Sequence, residues 1–254
     1  MNIDKVIKKQ ALSYLAKDNW GTAIAGFFIM LLPFIVVLLL FAVLDGIFST
    51  FLSEGIAINI RLILNYAILP CLLLCTPSIT GYLKICYSIC KGKNGELQDI
   101  FRYFSKELYI KTLFINISVI VRILIAFIVF MIPALAVSIL YNNINNIFLY
   151  VLSLILALSG FVATLFFGIR YSIVPCVFFE NENLTYKEVL ATSKFYMKSK
   201  IKNVMHLLLT FMPHIILCFF VVPWIFIFPY ITIAFMNNGK WITELYTDNC
   251  SETL

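Results

Sequence analysis

Residues 185–238 read TYKEVLATSKFYMKSKIKNVMHLLLTFMPHIILCFFVVPWIFIFPYITIAFMNN, a lysine-rich segment that runs into a long apolar block. After Lys202, no Asp, Glu, Lys or Arg occurs until Lys240. One helix over Asn203–Gly239 would be about 55 Å long, whereas the hydrocarbon core of a bilayer is about 30 Å thick. We therefore expect the block to fold back as two spans, with the lysines on the side where it begins.

The composition of the whole chain is that of a membrane protein. Hydrophobic residues make up 62% of it and charged residues only 13%, against about 25% charged in an average soluble domain. Lys and Arg outnumber Asp and Glu by 19 to 13, but they flank apolar blocks and do not form a continuous basic patch. We therefore expect a lipid bilayer as the surroundings and no nucleic-acid partner.

Runs with few or no charges predict an all-α, polytopic membrane protein with about six transmembrane helices, in a single integral membrane domain over 1–254. The spans are expected at about 21–44, 62–83, 112–140, 147–169, 203–222 and 223–238. Residues 1–20 predict an amphipathic surface helix, with Ile7, Ala11 and Leu15 on one face and lysines on the other. Residues 45–61 are expected as a loop and residues 239–254 as a polar tail that frays. Pro223 marks the expected break between the last two spans, because proline lacks the helical N–H donor.

The basic residues predict the orientation in the membrane. Of the 19 Lys and Arg residues, only Arg61 falls in an expected outer loop, and Arg122 falls within a span. The positive-inside rule then places both termini in the cytoplasm.

A surface helix followed by a helical hairpin is expected three times along the chain. Three tetrapeptides with aromatic residues align, each ending in lysine: Tyr14–Lys17, Tyr103–Lys106 and Phe195–Lys198. Sixteen residues beyond each aligned lysine come Pro33, Arg122 and His214. This order favours three repeats, with the second surface helix over residues 97–108 and the third within 170–202. The alternative is that any hairpin protein that obeys the positive-inside rule has basic loops at this spacing.

Several short motifs are distributed along nearly the whole chain. They are Ala11–Trp20 with Gly21–Ala25, Gly81–Leu83, Lys91–Lys93, Asp99–Phe101, Arg170–Ser172, Glu180–Asn181, Ser193, Met197–Lys198 and Pro229–Tyr230. In these motifs the chain resembles a bacterial family of integral membrane proteins, the domain-of-unknown-function family nine hundred seventy-five. Ser199 stands where that family commonly has glycine, and His214 where a tryptophan is usual. The resemblance implies a six-span protein of a bacterial cytoplasmic membrane, without an assigned activity.

Arg122 and His214 are the candidate polar site within the membrane. An arginine near mid-membrane costs about 3 kcal/mol on insertion scales, so something must compensate its charge. Arg122 either binds an anion, a lipid phosphate or a substrate, or it snorkels or pairs within the protein. The cysteine pairs Cys71 with Cys75 and Cys86 with Cys90 lack convincing third and fourth ligands for a metal. We therefore expect no metal, cofactor or catalytic site.

The function expected from the sequence is non-enzymatic. The lead hypothesis is a membrane-organising or partner-binding protein, in which basic side chains contact anionic lipid head groups or a membrane or cytoplasmic protein partner. The residues expected to make these contacts are Lys187, Lys194, Lys198 and Lys202. The alternative is a transporter or permease subunit that works with an ATPase partner, with Arg122 and His214 lining the path.

Overall fold

The structure, a computed structural model, describes residues 3–16, 19–51, 54–93, 95–144, 146–217 and 221–251. Within these ranges the chain forms eleven helices and no strand. The helices are α1 (Ile3–Ala16), α2 (Asn19–Phe51), α3 (Glu54–Leu74), α4 (Pro77–Cys90), α5 (Asp99–Arg102), α6 (Lys106–Ile144), α7 (Ile147–Ile169), α8 (Val174–Glu180), α9 (Tyr186–Met197), α10 (Ile201–Leu217) and α11 (Val221–Ser251). The predicted all-α class is therefore confirmed for the described residues.

Four stretches of the described chain are long and apolar enough to cross a membrane. They are Asn19–Thr50, Ile58–Cys90, Lys106–Ile144 and Ile147–Glu180, and the first four predicted spans lie within them. In three of the four, only 11% of an apolar segment of 18 residues within the stretch is buried in the protein. Because contact with water costs about 25 cal/mol per Å² of apolar surface, these outward side chains belong in lipid. The chain is a membrane protein, and the count of six spans stays a prediction.

The described residues form two compact units. The first lies within Met1–Asn116 and Phe211–Lys240, and the second within Ile117–Thr210 and Trp241–Leu254. The single integral membrane domain expected over 1–254 stays a prediction.

Helix α4 is the buried centre of the first unit. The side chains of Tyr82, Ile85 and Cys86 are almost fully buried, and α2 and α5 pack against this helix. Helix α1 also packs on α2 and α4, with Ala11 and Leu15 completely buried. The apolar face predicted for the first surface helix is therefore covered by protein.

The second apolar stretch is interrupted between α3 and α4. Pro77 begins α4, and a proline in the first turn lacks the N–H that would continue the bonding of α3. Two side chains of α6 donate hydrogen bonds to carbonyl groups at this break. The Tyr109 hydroxyl donates to the carbonyl oxygen of Leu74 at 3.0 Å. The amide of Asn116 donates to the carbonyl oxygen of Thr76 at 3.3 Å and to the Thr80 hydroxyl at 3.0 Å. The span predicted at 62–83 is thus built from two helices, with donors that replace water at the break.

The expected loop over residues 45–61 is wrong. Helix α2 continues to Phe51 and α3 begins at Glu54. Asp45 and Arg61, which suggested the loop, form a two-pronged ion pair between these helices at 2.8 and 3.3 Å. Opposite charges at one level of two neighbouring helices stabilise their pairing and do not require either helix to end.

Three further predictions are corrected by helix bounds. Residues 97–108 do not form one surface helix, because α5 covers only Asp99–Arg102 and α6 begins at Lys106. The break expected at Pro223 is not there, since α11 begins at Val221, and Pro223 falls in its first turn, where proline is tolerated. The polar tail does not fray directly after residue 238, because α11 continues to Ser251 with Ile242 and Thr243 buried.

Helices α6 and α7 approach closely in the second unit. A Cβ atom on Gly160 would lie 2.6 Å from the carbonyl oxygen of Phe130, so only glycine fits at this contact. Small residues permit such backbone approach between membrane helices. Helix α8, which follows α7, is buried and packs on α9.

Gly81 offers a test of the contact between α4 and α5. Its Cβ would lie 2.5 Å from the Cα atom of Ile100, a backbone atom that cannot rotate away. We expect Gly81→Ala to lower the free energy of unfolding by about 1–3 kcal/mol through overpacking, as measured by thermal melting in detergent. Gly21→Ala is the matched control, because a Cβ there meets no atom within 4 Å. Equal melting temperatures for the two variants would contradict the close contact.

Asn116 offers a test of the bonded break between α3 and α4. We expect Asn116→Ala to lower the free energy of unfolding by about 1 kcal/mol, because the Thr76 carbonyl loses its side-chain donor. Asn142→Ala, at an exposed position near the end of the same helix, is the control. A loss of stability as large at Asn142 as at Asn116 would show that the break does not depend on this bond.

Candidate functional site

Helix α9, which carries Lys187 and Lys194 and has Lys198 at its C-cap, begins with a capping box. The backbone N–H of Thr185 donates to the carboxylate of Glu188 at 2.7 Å, and the N–H of Glu188 donates to the Thr185 hydroxyl at 3.4 Å. These two bonds satisfy N–H groups that the first turn of a helix leaves without partners. The sequence therefore fixes the start of α9 at Tyr186.

Helix α9 has one buried face and one exposed face. Val189, Leu190, Ser193 and Met197 are buried. Lys187 and Lys194 are exposed on the helix and Lys198 is exposed at its C-cap, at spacings of seven and four residues that follow the helical period. Because the apolar face packs on protein, the lysines project outward from a fixed helix.

A side-chain hydrogen bond joins α9 to the end of α7. The hydroxyl of Ser193 donates to the carbonyl oxygen of Arg170 at 3.0 Å, and Arg170 is the C-cap of α7. The last carbonyl groups of a helix have no partner within it, so Ser193 supplies the missing donor. The bond also places Lys194 and Lys198 beside Arg170.

These elements line a half-open cavity with basic side chains, called here the α7–α9 cavity, with a volume of about 480 Å³. It is lined by Arg170, Ala191, Lys194, Phe195, Lys198 and Ile201. No carboxylate in the part of the chain that the structure describes forms an ion pair with any of the three cations. The phenyl ring of Phe195 is 65% exposed and adds apolar surface next to the charges. The arrangement suits an anion that is attached to an apolar group.

Arg122 lies in the second unit, on an exposed part of α6. Its Nη1 atom is 3.5 Å from the hydroxyl oxygen of Tyr171, and its Cζ atom is 5.8 Å from the centre of that ring. Tyr171 is buried. A cation over an aromatic face is stabilised by the ring's quadrupole, so internal pairing, one of the two alternatives for Arg122, has a named partner. Anion binding by Arg122 stays a prediction.

His214 lies in the first unit, among aromatic rings. Its ring centre is 5.6 Å from that of Phe211 and 6.1 Å from that of Tyr230. Its buried Nδ1 atom has no hydrogen-bond partner among the residues described. Lys8 Nζ lies 4.3 Å from the centre of the Phe211 ring. Burial lowers the pKa of Lys8, and the carboxylate of Asp4 opposes that shift.

The predicted site residues are thus distributed over several places. Lys194 and Lys198 meet in the α7–α9 cavity, whereas Lys187 lies near the Tyr186 ring, with 5.9 Å between Nζ and the ring centre. Lys202 is exposed in the first turn of α10 and does not line the cavity. Arg122 and His214 belong to different units and do not line it either.

Sequence reasoning missed two cavity residues, Arg170 and Phe195, as parts of a site. Arg170 is the first charged residue after the apolar run 147–169, which was a usable signal. Phe195 is the residue directly after Lys194, and only the fold shows that its ring is exposed beside the cations. In the described ranges, no group of three or more His, Cys, Asp or Glu side chains is arranged to hold a metal.

No protein-family model, curated protein or solved structure matches this chain. Inferences about function therefore rest on the residues of the chain itself.

Ser193 offers a test of how α9 is held. We expect Ser193→Ala to lower the free energy of unfolding by about 1 kcal/mol and to speed hydrogen exchange in α9, because the Arg170 carbonyl loses its donor. Ser159→Ala is the matched control, since that exposed hydroxyl bonds only the Leu156 carbonyl of its own helix, at 2.8 Å. Unchanged exchange in α9 of the Ser193 variant would contradict the role of this bond.

Proposed function

We propose that this chain is a non-enzymatic, multi-span protein of a bacterial cytoplasmic membrane, and that it organises the membrane by holding anionic lipid head groups on its cytoplasmic side. The contacts come from Lys187, Lys194, Lys198 and Lys202. One observation carries the proposal: the lysines of α9 are exposed on a helix whose opposite face is buried. Because the buried face holds the helix in place, the lysines point away from the protein in a fixed direction. Each lysine near an anionic surface contributes about 1 kcal/mol.

The proposed architecture is six spans in three repeats, as in the family that the motifs resemble. Three junctions support it: α1 ends at Ala16 and α2 begins at Asn19, α5 and α6 are separated by three residues, and so are α9 and α10. Lys106 and Lys198 lie at the second and third junctions, and Lys17 lies outside the described residues. The second copy is the least regular, because α5 has only four residues.

The proposed orientation has both termini in the cytoplasm. The support is the distribution of the basic residues, which places the lysines of α9 on the side of the anionic leaflet. A cytoplasmic or membrane protein partner with acidic side chains is the other occupant that this surface would accept.

The transporter alternative requires a path lined by Arg122 and His214. These residues belong to different units, whereas the four lysines that support lipid binding lie within one of them. The alternative stays a prediction that an uptake assay in proteoliposomes would test.

The lipid shell of the protein tests the proposed function. The full chain is excised from bacterial membranes in polymer-bounded nanodiscs, and the anionic share of the co-purified lipid is compared with that of the bulk membrane. We expect enrichment around the native protein and a fall toward the bulk value when Lys187, Lys194, Lys198 and Lys202 are all replaced by Gln. Replacement of all four by Arg, which keeps the charge, should preserve the enrichment. An anionic share that is the same for the native and Gln proteins would contradict the proposal.

A further inference from the structure

We propose that the α7–α9 cavity is a phosphate site that holds the head group of one anionic phospholipid per chain. This inference rests on the proposed function and deepens it. The proposed function requires only a charged surface on α9, whereas the cavity assigns a defined position and stoichiometry to the lipid.

The position of the cavity along the chain matches the level of lipid head groups. Helix α7 has 23 residues, about 35 Å at 1.5 Å per residue, which is enough to cross a hydrocarbon core of about 30 Å. Arg170 follows the last residue of α7, and Ile201 begins the apolar helix α10. A cavity lined by both residues lies at the ends of two apolar helices, and in the proposed six-span architecture this is the level of the lipid head groups.

The charges in the cavity fit a phosphate group. Arg170, Lys194 and Lys198 contribute three positive charges to one wall, and no described acidic side chain pairs with them. A guanidinium fork binds two phosphate oxygens at once, and an ammonium group acts as a point charge beside it. Three cations so close together repel one another, and an anion between them relieves that repulsion.

The apolar lining distinguishes a lipid from a free anion. Ala191, Phe195 and Ile201 lie beside the cations, and the ring of Phe195 is 65% exposed. Inorganic phosphate would leave this surface uncovered, whereas the glycerol and upper acyl carbons of a lipid would cover it. The volume of about 480 Å³ lies within the range of about 300–1,000 Å³ that is usual for small-molecule sites.

Native mass spectrometry of the purified full chain tests the site. The protein in mild detergent is titrated with phosphatidylglycerol, with phosphatidylcholine, or with inorganic phosphate alone. We expect one tightly retained phosphatidylglycerol per chain, with an affinity at least about tenfold above that for phosphatidylcholine, as the net negative charge predicts.

Two double variants that remove the same charge separate a site from a charged surface. The pair Lys194→Gln with Lys198→Gln removes two cavity cations and should weaken phosphatidylglycerol binding by about 30-fold, the factor for two cations at about 1 kcal/mol each. The pair Lys187→Gln with Lys202→Gln removes two surface contacts that do not line the cavity. It should lower the enrichment of the lipid shell, but it should change the affinity for the one retained lipid by less than about threefold, because exposed charges that do not touch this lipid act on it only through solvent. Arg170→Gln removes one cavity cation and should weaken binding by about fivefold, the factor for about 1 kcal/mol. Unchanged melting temperatures show that the variants fold.

Three outcomes would overturn the proposal of a lipid site in the α7–α9 cavity. Equal weakening by the two double variants would leave a diffuse charged surface, so the proposed function would stand without the cavity. Inorganic phosphate that binds as tightly as phosphatidylglycerol would identify a free anion as the occupant. By contrast, if Phe195→Gln weakened the binding of the lipid but not that of phosphate, this would support the lipid. Absence of any retained phosphatidylglycerol in the native chain would overturn the lipid assignment and favour an acidic protein segment.

Discussion

In an apolar layer a helix cannot end unless its last carbonyl groups find other donors, and this constraint shapes both units of the protein. At the break after α3, the Leu74 carbonyl is bonded by Tyr109 of α6. Asn116 of α6 adds a bond to the Thr76 carbonyl, which also accepts the N–H of Ile79. At the end of α7, the Arg170 carbonyl is bonded by Ser193 of α9. In each case the donor comes from a later helix, so the break fixes the position of that helix. The interruptions in the apolar stretches are therefore points of tertiary assembly, because a buried carbonyl without a donor would cost about 1–3 kcal/mol.

The two breaks occur in the same order of elements. A long apolar helix ends, a proline lies in the first turn of the next helix (Pro77 in α4 and Pro175 in α8), and that helix is buried. A polar loop, a short helix and another apolar helix then follow, as α5 with α6 and as α9 with α10. The second and third copies of the proposed repeat thus share a buried helix with a proline in its first turn, which the alignment of the lysines did not reveal. The short helices differ in length: α5 has 4 residues and packs against Gly81, whereas α9 has 12 and begins with a capping box.

Apolar periodicity and charge were enough to predict the four long apolar helices, because a span in lipid is determined by its own composition. The same signals failed where a residue has a tertiary partner. Asp45 and Arg61 indicated a loop, but they bond each other, so both helices continue past them. Leu97, Ile100 and Phe104 gave a helical pattern that the chain divides among α5 and its flanking turns. At the site, Lys194 and Lys198 were predictable from their spacing along one helix face. Arg170 could be singled out as the first charge after an apolar run, but its place beside these lysines could not, because it depends on the bond from Ser193.

The first unit combines residues within Met1–Asn116 with residues within Phe211–Lys240, and this determines when it can form. Gln10 of α1 accepts a hydrogen bond from Asn237 at 3.0 Å, and the carbonyl oxygen of Cys90 accepts one from Lys240, also at 3.0 Å. The ribosome therefore has to synthesise nearly the whole chain before α1 and α4 meet all of their neighbours. Until then, α1 and α4 lack the contacts that α11 provides. A pause in translation before α11 would prolong that state, and it is the interval in which an insertase or membrane protease has access to the incomplete unit.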